Sequence, residues 1–263
     1  MNIRKDANDL FIYDSQVITI DNKRPDVCVV VACNTRTNEV TRYRTKKVIC
    51  TVPLSVTRTI SFTNISQAKR YIFDNQLRTT ASKSFLVVKK PFWRKFACGD
   101  GLFSYDHVVN MCHDISPPDL SCGIMVYFHM GKKYIDWDSM FRGETNEFEA
   151  RRQYIIDLTC KLYRIEDPKE KEEYFAEALF YESTFMDNPY IRSGFQSNTR
   201  PGTFRNILRM RDGLESFYRD ENNVYFVGSE YSKEFASYME GALRVARLKG
   251  YQLIGEKDPL IPN

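Results

Sequence analysis

The sequence predicts an α+β fold, and three observations lead to it. The opening third is a succession of short β-branched runs divided by polar turns. From Glu147 the apolar residues change to a helical period. Near the end, a short apolar strand, a glycine, an acidic residue and an amphipathic helix follow one another directly.

The elements follow in order. Valine, isoleucine and threonine crowd VITI (17 to 20), VCVVVAC (27 to 33) and the long stretch EVTRYRTKKVICTVP (39 to 53), side chains that suit a pleated surface. Asp21-Asn22-Lys23 and Asn34-Thr35-Arg36-Thr37 turn the first runs into a meander. The third run delivers a buried segment over 48–52, and Pro53 stops it because proline has no N–H for a ladder. A helix is expected from Ile65 to Gln76, a strand over SKSFLVVKK (82 to 90), and further strands near 101–106, 109–113 and 122–129. Phe148, Ile155, Leu158 and Leu162 share one stripe of a helix from Glu147 to Tyr163. PKEKEEYFAEAL (168 to 179) reads as a more exposed helix, and LFYESTFM (179 to 186) as a strand that Asn188-Pro189 breaks. Val224 to Val227 is a short buried strand ended by Gly228. A helix is expected from Ser237 to Tyr251, with Ser237 and Glu240 at capping-box spacing and an apolar stripe of Met239, Ala242, Leu243 and Ala246.

Composition excludes several classes. Of 263 residues, 43% are apolar and 27% charged, the balance of a chain with a packed core. The 38 basic and 34 acidic residues leave a net charge of +4 spread along the whole length, too thin for a nucleic-acid-binding face. No apolar run approaches a membrane span, and MNIRKDANDLFIYD has no apolar signal-peptide core. Seven scattered cysteines, without a paired CxxC, predict neither a disulfide framework nor a zinc site. His107, His113 and His129 make no metal constellation, since adjacent Cys112 and His113 point to opposite faces of a strand. There is no GxGxxG and no GxxxxGK[ST]. Aromatic residues reach 14%, which suits a core or a pocket built from rings.

Three constellations could carry chemistry. Gly228-Ser229-Glu230 follows a strand, so its N–H groups and the Glu230 carboxylate could meet a ribose or polyol, or Glu230 could be a satisfied turn residue. Lys83 shares a strand face with Phe85 and Val87, at the edge of an apolar surface, where a lysine either holds a water for proton transfer or snorkels to solvent. Phe185, Tyr190, Phe195, Phe235 and Tyr238 could line a pocket for an apolar or cationic substrate, or belong to an ordinary core.

VYFVGSEYSKEFASYMEGALRVA (224 to 246) resembles the last cofactor-binding segment of the flavin-containing amine oxidases, the family of monoamine, polyamine and L-amino-acid oxidases. KKVICTVPLSVTRTISF (46 to 62), ASKSFLVVKKPFWRK (81 to 95) and DNPYIRSGFQSNTRPG (187 to 202) are similar to further family segments in collinear order. The resemblance implies an incomplete FAD-binding α/β domain plus a mixed-sheet substrate domain with flanking helices. Residues 1–58 and 201–263 would belong to the first and 59–200 to the second. It implies non-covalent FAD, because Gly194 stands where some members carry a flavin-linked cysteine. Val17 would contact the adenine and Glu230, after Gly228, the ribityl chain, while Tyr238, Met239 and Glu240 would lie by the flavin ring. Lys83 would hold a water at the flavin's reactive nitrogen, and Phe195, Tyr238 and Phe235 would line the substrate pocket. The implied partners are an amine or amino acid and O2, with no nucleic acid, no membrane span, and a homodimer in the full-length form.

The sequence also departs from the family pattern. It lacks the opening GxGxxG unit, so residue 1 aligns inside the cofactor domain, and the chain is expected to be the C-terminal part of a longer enzyme or a truncated product. Asn110 to His113 stands where L-amino-acid oxidases place a substrate-contacting tyrosine, and Phe185 where a tryptophan is usual. A non-catalytic remnant that keeps the substrate sheet as an interaction module is the second reading. A peptidyl-lysine demethylase is disfavoured by the +4 charge. The compartment, secreted or cytoplasmic, is left open; the sequon Asn64-Ile65-Ser66 is compatible with secretion.

Overall fold

The computed structural model describes residues 11–77, 79–96, 101–103, 107–194, 198–211 and 213–257. The chain divides into two compact units: Met1–Leu77 with Ser197–Asn263, and Arg78–Gln196.

The first unit opens with the expected meander, β1 (Ser15–Asp21), β2 (Cys28–Asn34) and β3 (Val40–Thr45). Asn34 forms the second turn by accepting the N–H groups of Arg36 at 2.9 Å and Thr37 at 3.0 Å. The register of β1 on β2 shifts between Val17 and Thr19, which makes a bulge at Ile18.

The stretch 39–53 is not one strand. Thr45 exchanges side-chain hydrogen bonds with the backbone of Lys47, which turns the chain between β3 and β4 (Val48–Cys50). β4 leaves the meander for a separate parallel pairing described below. After Pro53 come α1 (Leu54–Thr57) and β5 (Ser61–Phe62), which joins β1 in parallel to complete the order β3-β2-β1-β5. α2 (Gln67–Asp74) begins where Ser66 accepts the N–H of Lys69, and leads to β6 (Gln76–Leu77).

The second unit is built on an antiparallel sheet of β7 (Ala81–Val88), β8 (Gly101–Phe103), β9 (Met111–Asp114), β10 (Gly123–Met130) and β11 (Leu179–Thr184), ordered β11-β7-β10-β9-β8. Strand alternation sends Ser82, Ser84, Leu86 and Val88 to the buried face. Leu86, Val88, Met125 and Tyr127 pack there with Ile155 and Leu158 of α4 (Glu147–Tyr163), the helix expected from periodicity. α5 (Pro168–Phe175) starts on an Asp167 cap with proline in its first turn. α3 (Lys132–Met140), which shows no clear period in the sequence, delivers Trp137 to this core.

Trp137 stacks on His129 at 4.2 Å. The His129 Nδ1–H donates to the Val108 carbonyl at 3.1 Å, so Nε2 accepts from the Ser84 hydroxyl at 2.9 Å. Burial pushes the His129 imidazole down to about 4, and it is neutral at physiological pH.

The chain then returns to the first unit. β12 (Asn198–Thr199) pairs with β6, and α6 (Thr203–Leu208) and α7 (Glu215–Tyr218) lead to β13 (Val224–Phe226). β13 lies parallel to β4, with Val224, Tyr225 and Phe226 opposite Val48, Ile49 and Cys50. Phe62, Phe73 and Phe226 pack as a ring triad at 5.6 to 5.9 Å. Two buried polar groups tie the loop before β13 to this core. Asn22 donates to the carbonyls of Asn64 and Glu221, while its own carbonyl accepts from Asn222. Lys69, fully buried, donates to the Arg219 carbonyl, meets Glu221 at 3.4 Å and lies over the Phe226 ring. Burial draws its ammonium down to about 8 despite the carboxylate.

Candidate functional site

β13 ends at Val227, whose N–H donates to the Cys50 carbonyl at 2.9 Å, and Gly228 then carries the chain off the parallel pair. Its φ of 168° is extended backbone that other residues also adopt, so no strained turn is needed there. Ser229–Tyr231 make a single 3-10 turn. Tyr231 is pinned beneath it by rings at 5.1 Å (Phe217) and 5.5 Å (Phe226). Glu230 stays half-buried at the surface and accepts the Ser229 hydroxyl at 3.1 Å.

The loop that follows is held against α8 (Met239–Ile254). A Cβ on Gly241 would fall 2.2 Å from the Phe235 carbonyl oxygen, so only glycine lets the loop lie this close to the helix. Arg244 closes the loop from the other side. Its guanidinium pairs with Glu240 at 2.7 Å and with Glu234, and lies 4.8 Å from the Phe235 ring centroid.

The expected capping box does not form. α8 starts at Met239, and its N-cap is Tyr238, without a side-chain cap. Ser237 has φ 71°, a left-handed conformation that differs from the extended backbone of an N-capping serine. Its N–H donates to the Ser229 carbonyl, and Glu240 turns along the helix to Arg244.

The start of α8 is therefore open. Tyr238 is 70% and Met239 86% exposed beside helical N–H groups that no side chain caps. An uncapped helix N-terminus attracts developing negative charge, and the exposed apolar side chains offer a surface for a planar ring. These features fit the ring end of a flavin. The sequence holds no glycine motif for its pyrophosphate.

The other expected residues lie as follows. Val17 sits half-buried beside the bulge of β1, and β5 pairs with β1 only at Thr19 and Ile20. The backbone edge at Val17 is thus outside the β5 ladder. In the second unit, Lys83 is half-buried on β7, with Nζ 5.1 Å from the Phe128 ring centroid. It shares that face with Phe85 and Val87, as the alternation requires. Gly194 donates its N–H to the Thr79 carbonyl at 2.7 Å, and a Cβ there would sit 2.6 Å from that of Ala81, so a side chain is excluded.

The aromatic set divides differently from a common core. Phe185, Tyr190, Phe235 and Tyr238 are 46 to 70% exposed, and Phe195 lies outside the described residues. Other rings fill the two cores. Sequence reasoning did not single out Arg244 or Phe128. The i, i+4 spacing of Glu240 and Arg244 was available as a signal, whereas Phe128 becomes visible only once β10 is registered on β7. Among the described residues no group of His, Cys, Asp and Glu could hold a metal. Among the described residues no cysteine forms a disulfide, and no helix is long and apolar enough to cross a membrane.

Comparisons with known proteins find similar folds. A structure of putrescine oxidase bound to putrescine superposes with a TM-score of 0.71 at 20% identity, over 92% of this chain and 49% of that one. Cyclohexylamine oxidase from Brevibacterium oxydans gives 0.73 at 16% identity, over 90% and 47%. The chain thus spans about half the length of these solved relatives. A search of curated proteins finds no match. The family description that matches, over residues 3–249, is flavin containing amine oxidoreductase, whose cofactor is FAD. With that match across nearly its whole length, the chain belongs to the flavin-containing amine oxidoreductase family.

Proposed function

We propose that the chain carries the flavin-ring and substrate portions of an enzyme that oxidises a small amine or L-amino acid. The observation that carries this reading is the open, uncapped start of α8, held against the loop at Glu234 and Phe235 by Gly241. FAD, held non-covalently, would supply the two-electron acceptor, taking hydride from the carbon that bears the amine and passing the electrons to O2 as H2O2.

The chain's own residues have separate tasks. Val17 offers its backbone edge to the adenine. Glu230, with Ser229 already donating to one oxygen, keeps acceptor capacity for ribityl hydroxyls. The N–H groups at the start of α8 stabilise negative charge as the ring is reduced. Tyr238 and Phe235 give the substrate an apolar surface beside the start of α8. Lys83 holds a water and moves its proton, with Phe128 limiting where its ammonium can go. The substrate must lose hydride from a neutral amine, and hydrolysis of the resulting imine releases the product.

The chain spans about half the length of its solved relatives, and the oxidation is proposed for an enzyme of their full length. The lack of a pyrophosphate motif favours, for the isolated chain, the second reading of a non-catalytic module. Lys83→Met in the complete protein tests the first. Rapid-mixing kinetics should give flavin reduction or reoxidation slowed at least tenfold with FAD affinity within about twofold of wild type; unchanged rates refute the role of Lys83.

A further inference from the structure

The chain's surplus of positive charge is thin as a whole, but one stretch concentrates it. Residues 198–211, NTRPGTFRNILRMR, hold four arginines and no acidic residue. Arg200, Arg205, Arg209 and Arg211 are exposed, and among the described residues none of their guanidinium groups has an ion-pair or hydrogen-bond partner. Other arginines of the same unit are engaged. Arg24 pairs with Asp26 at 2.7 Å, Arg36 with Asp14 at 2.6 Å, and Arg244 with Glu234 and Glu240.

The helix α6 within this stretch is fixed on its inner side. Ile207 is fully buried and Thr203 nearly so, and Met210 packs against the same core. Asn206 Nδ2–H donates to the Tyr71 hydroxyl of α2 at 2.7 Å, and the Arg200 N–H donates to the Asn75 carbonyl at 3.0 Å. At 3.6 residues per turn, this anchoring turns positions 204 and 208 outward as one ridge and 205 and 209 as the next. The first ridge is apolar, with Phe204 50% and Leu208 70% exposed. The second is Arg205 and Arg209, while Arg200 precedes the helix and Arg211 follows it. The acids around this surface are few. Asp74 precedes the Asn75 that holds Arg200, Asp212 lies outside the described residues, and Glu215 is paired with Lys233. Asp74 and Asp212 together would still leave two of the four positive charges in excess.

We propose that the outer face of α6 is a docking surface for an anionic phospholipid membrane. Planar guanidinium groups match phosphate oxygens in pairs. Phe204 and Leu208 enter the boundary between headgroups and acyl chains, as the apolar side of an interfacial helix does. That apolar ridge separates a lipid surface from a nucleic acid, which offers phosphates but no apolar layer behind them. The inference concerns where the protein is held and does not depend on the amine-oxidising reading above.

The test is co-sedimentation of the 263-residue chain with vesicles made of phosphatidylserine and phosphatidylcholine in equal parts, against vesicles of phosphatidylcholine alone. Binding to the anionic vesicles, weakened by added salt, with none to the neutral ones is expected. An arginine near an anionic surface contributes about 1 kcal/mol, or about fivefold in affinity, so Arg205→Gln with Arg209→Gln should weaken binding about 25-fold. Phe204→Ser with Leu208→Ser should weaken it at least tenfold. Arg42→Gln with Arg44→Gln, an exposed basic pair on β3 and outside the proposed face, should leave it within about twofold. Circular dichroism checks that the three double variants fold, and all six side chains are exposed. Equal binding to neutral vesicles, no binding to either, or a loss in the β3 variant as large as in the Arg205 and Arg209 variant overturns the proposal. Tighter binding to a short RNA duplex than to the anionic vesicles, with the Phe204 and Leu208 variant unimpaired, overturns it in favour of a nucleic-acid surface.

Discussion

Replacing Gly241 and Gly250 by alanine in the same helix should have opposite effects on stability. Both substitutions gain helix propensity, about 1 kcal/mol relative to glycine. At Gly250 nothing lies within 4 Å of the new methyl group, so Gly250→Ala should keep most of that gain. At Gly241 the methyl carbon would lie 2.2 Å from the Phe235 carbonyl oxygen, where ordinary contact begins at 3.4 Å. Relief requires the loop to retreat by roughly an ångström, an overpacking cost of about 1–3 kcal/mol. The retreat also breaks the hydrogen bond from the Tyr238 N–H to the Phe235 carbonyl, worth about 1 kcal/mol. After the propensity gain, Gly241→Ala should destabilise by about 1–3 kcal/mol. Urea unfolding followed by far-UV circular dichroism measures both variants. Trp93 and Trp137 both lie in the second unit, so tryptophan fluorescence follows that unit in parallel. A Gly241→Ala protein as stable as wild type, or two shifts of the same sign, would refute the close approach of loop and helix.

Three further outcomes are expected. His129 titrates near 4 in the folded chain against 6.5 when unfolded, so the unfolded state takes up the proton first as pH falls. Stability should therefore decline from about pH 6.5 to 4, by up to about 3 kcal/mol, visible in the fluorescence of Trp137, and His129→Gln should flatten that slope. Ser237→Gly should stabilise the protein by about 1 kcal/mol, because glycine adopts φ 71° without a Cβ penalty; a loss on thermal unfolding contradicts the left-handed assignment. Lys69→Met should cost roughly 3 kcal/mol at pH 7 by leaving Glu221 and the Arg219 carbonyl without their cation, measured by urea unfolding, and no loss would show that the buried ammonium is dispensable.

Much of the fold was legible in local pattern. The span of α4 could be read to the residue because its alternation of apolar and charged side chains is undisturbed, and the opening meander because its turns use asparagine and aspartate. What local pattern does not carry is a partner far along the chain. Nothing near Val48 announces Asn223, whose carbonyl accepts the Val48 N–H, so the break between β3 and β4 was read as continuity. α3 was missed because it contributes one fully buried anchor, Trp137, to an otherwise mixed surface. At the start of α8, motif resemblance pointed to Glu230 and Met239, but the backbone decided the cap. Ser237 has the residue type for capping and, held by its N–H bond to Ser229, the wrong φ. The boundaries expected at 58/59 and 200/201 follow the family resemblance, whereas the division at 77/78 and 196/197 marks where packing is sparse.

The central claim is that the Ser229–Tyr231 turn and the start of α8 receive the flavin. Titrating FAD into the nitrogen-labelled chain while following backbone amides by NMR tests it most directly. Saturable shifts at Ser229, Glu230, Met239, Glu240 and Gly241, with those toward the C-terminal end of α8 unmoved, are the expected result. Saturation of FAD elsewhere on the chain with these five amides silent, or no binding at all, would contradict it.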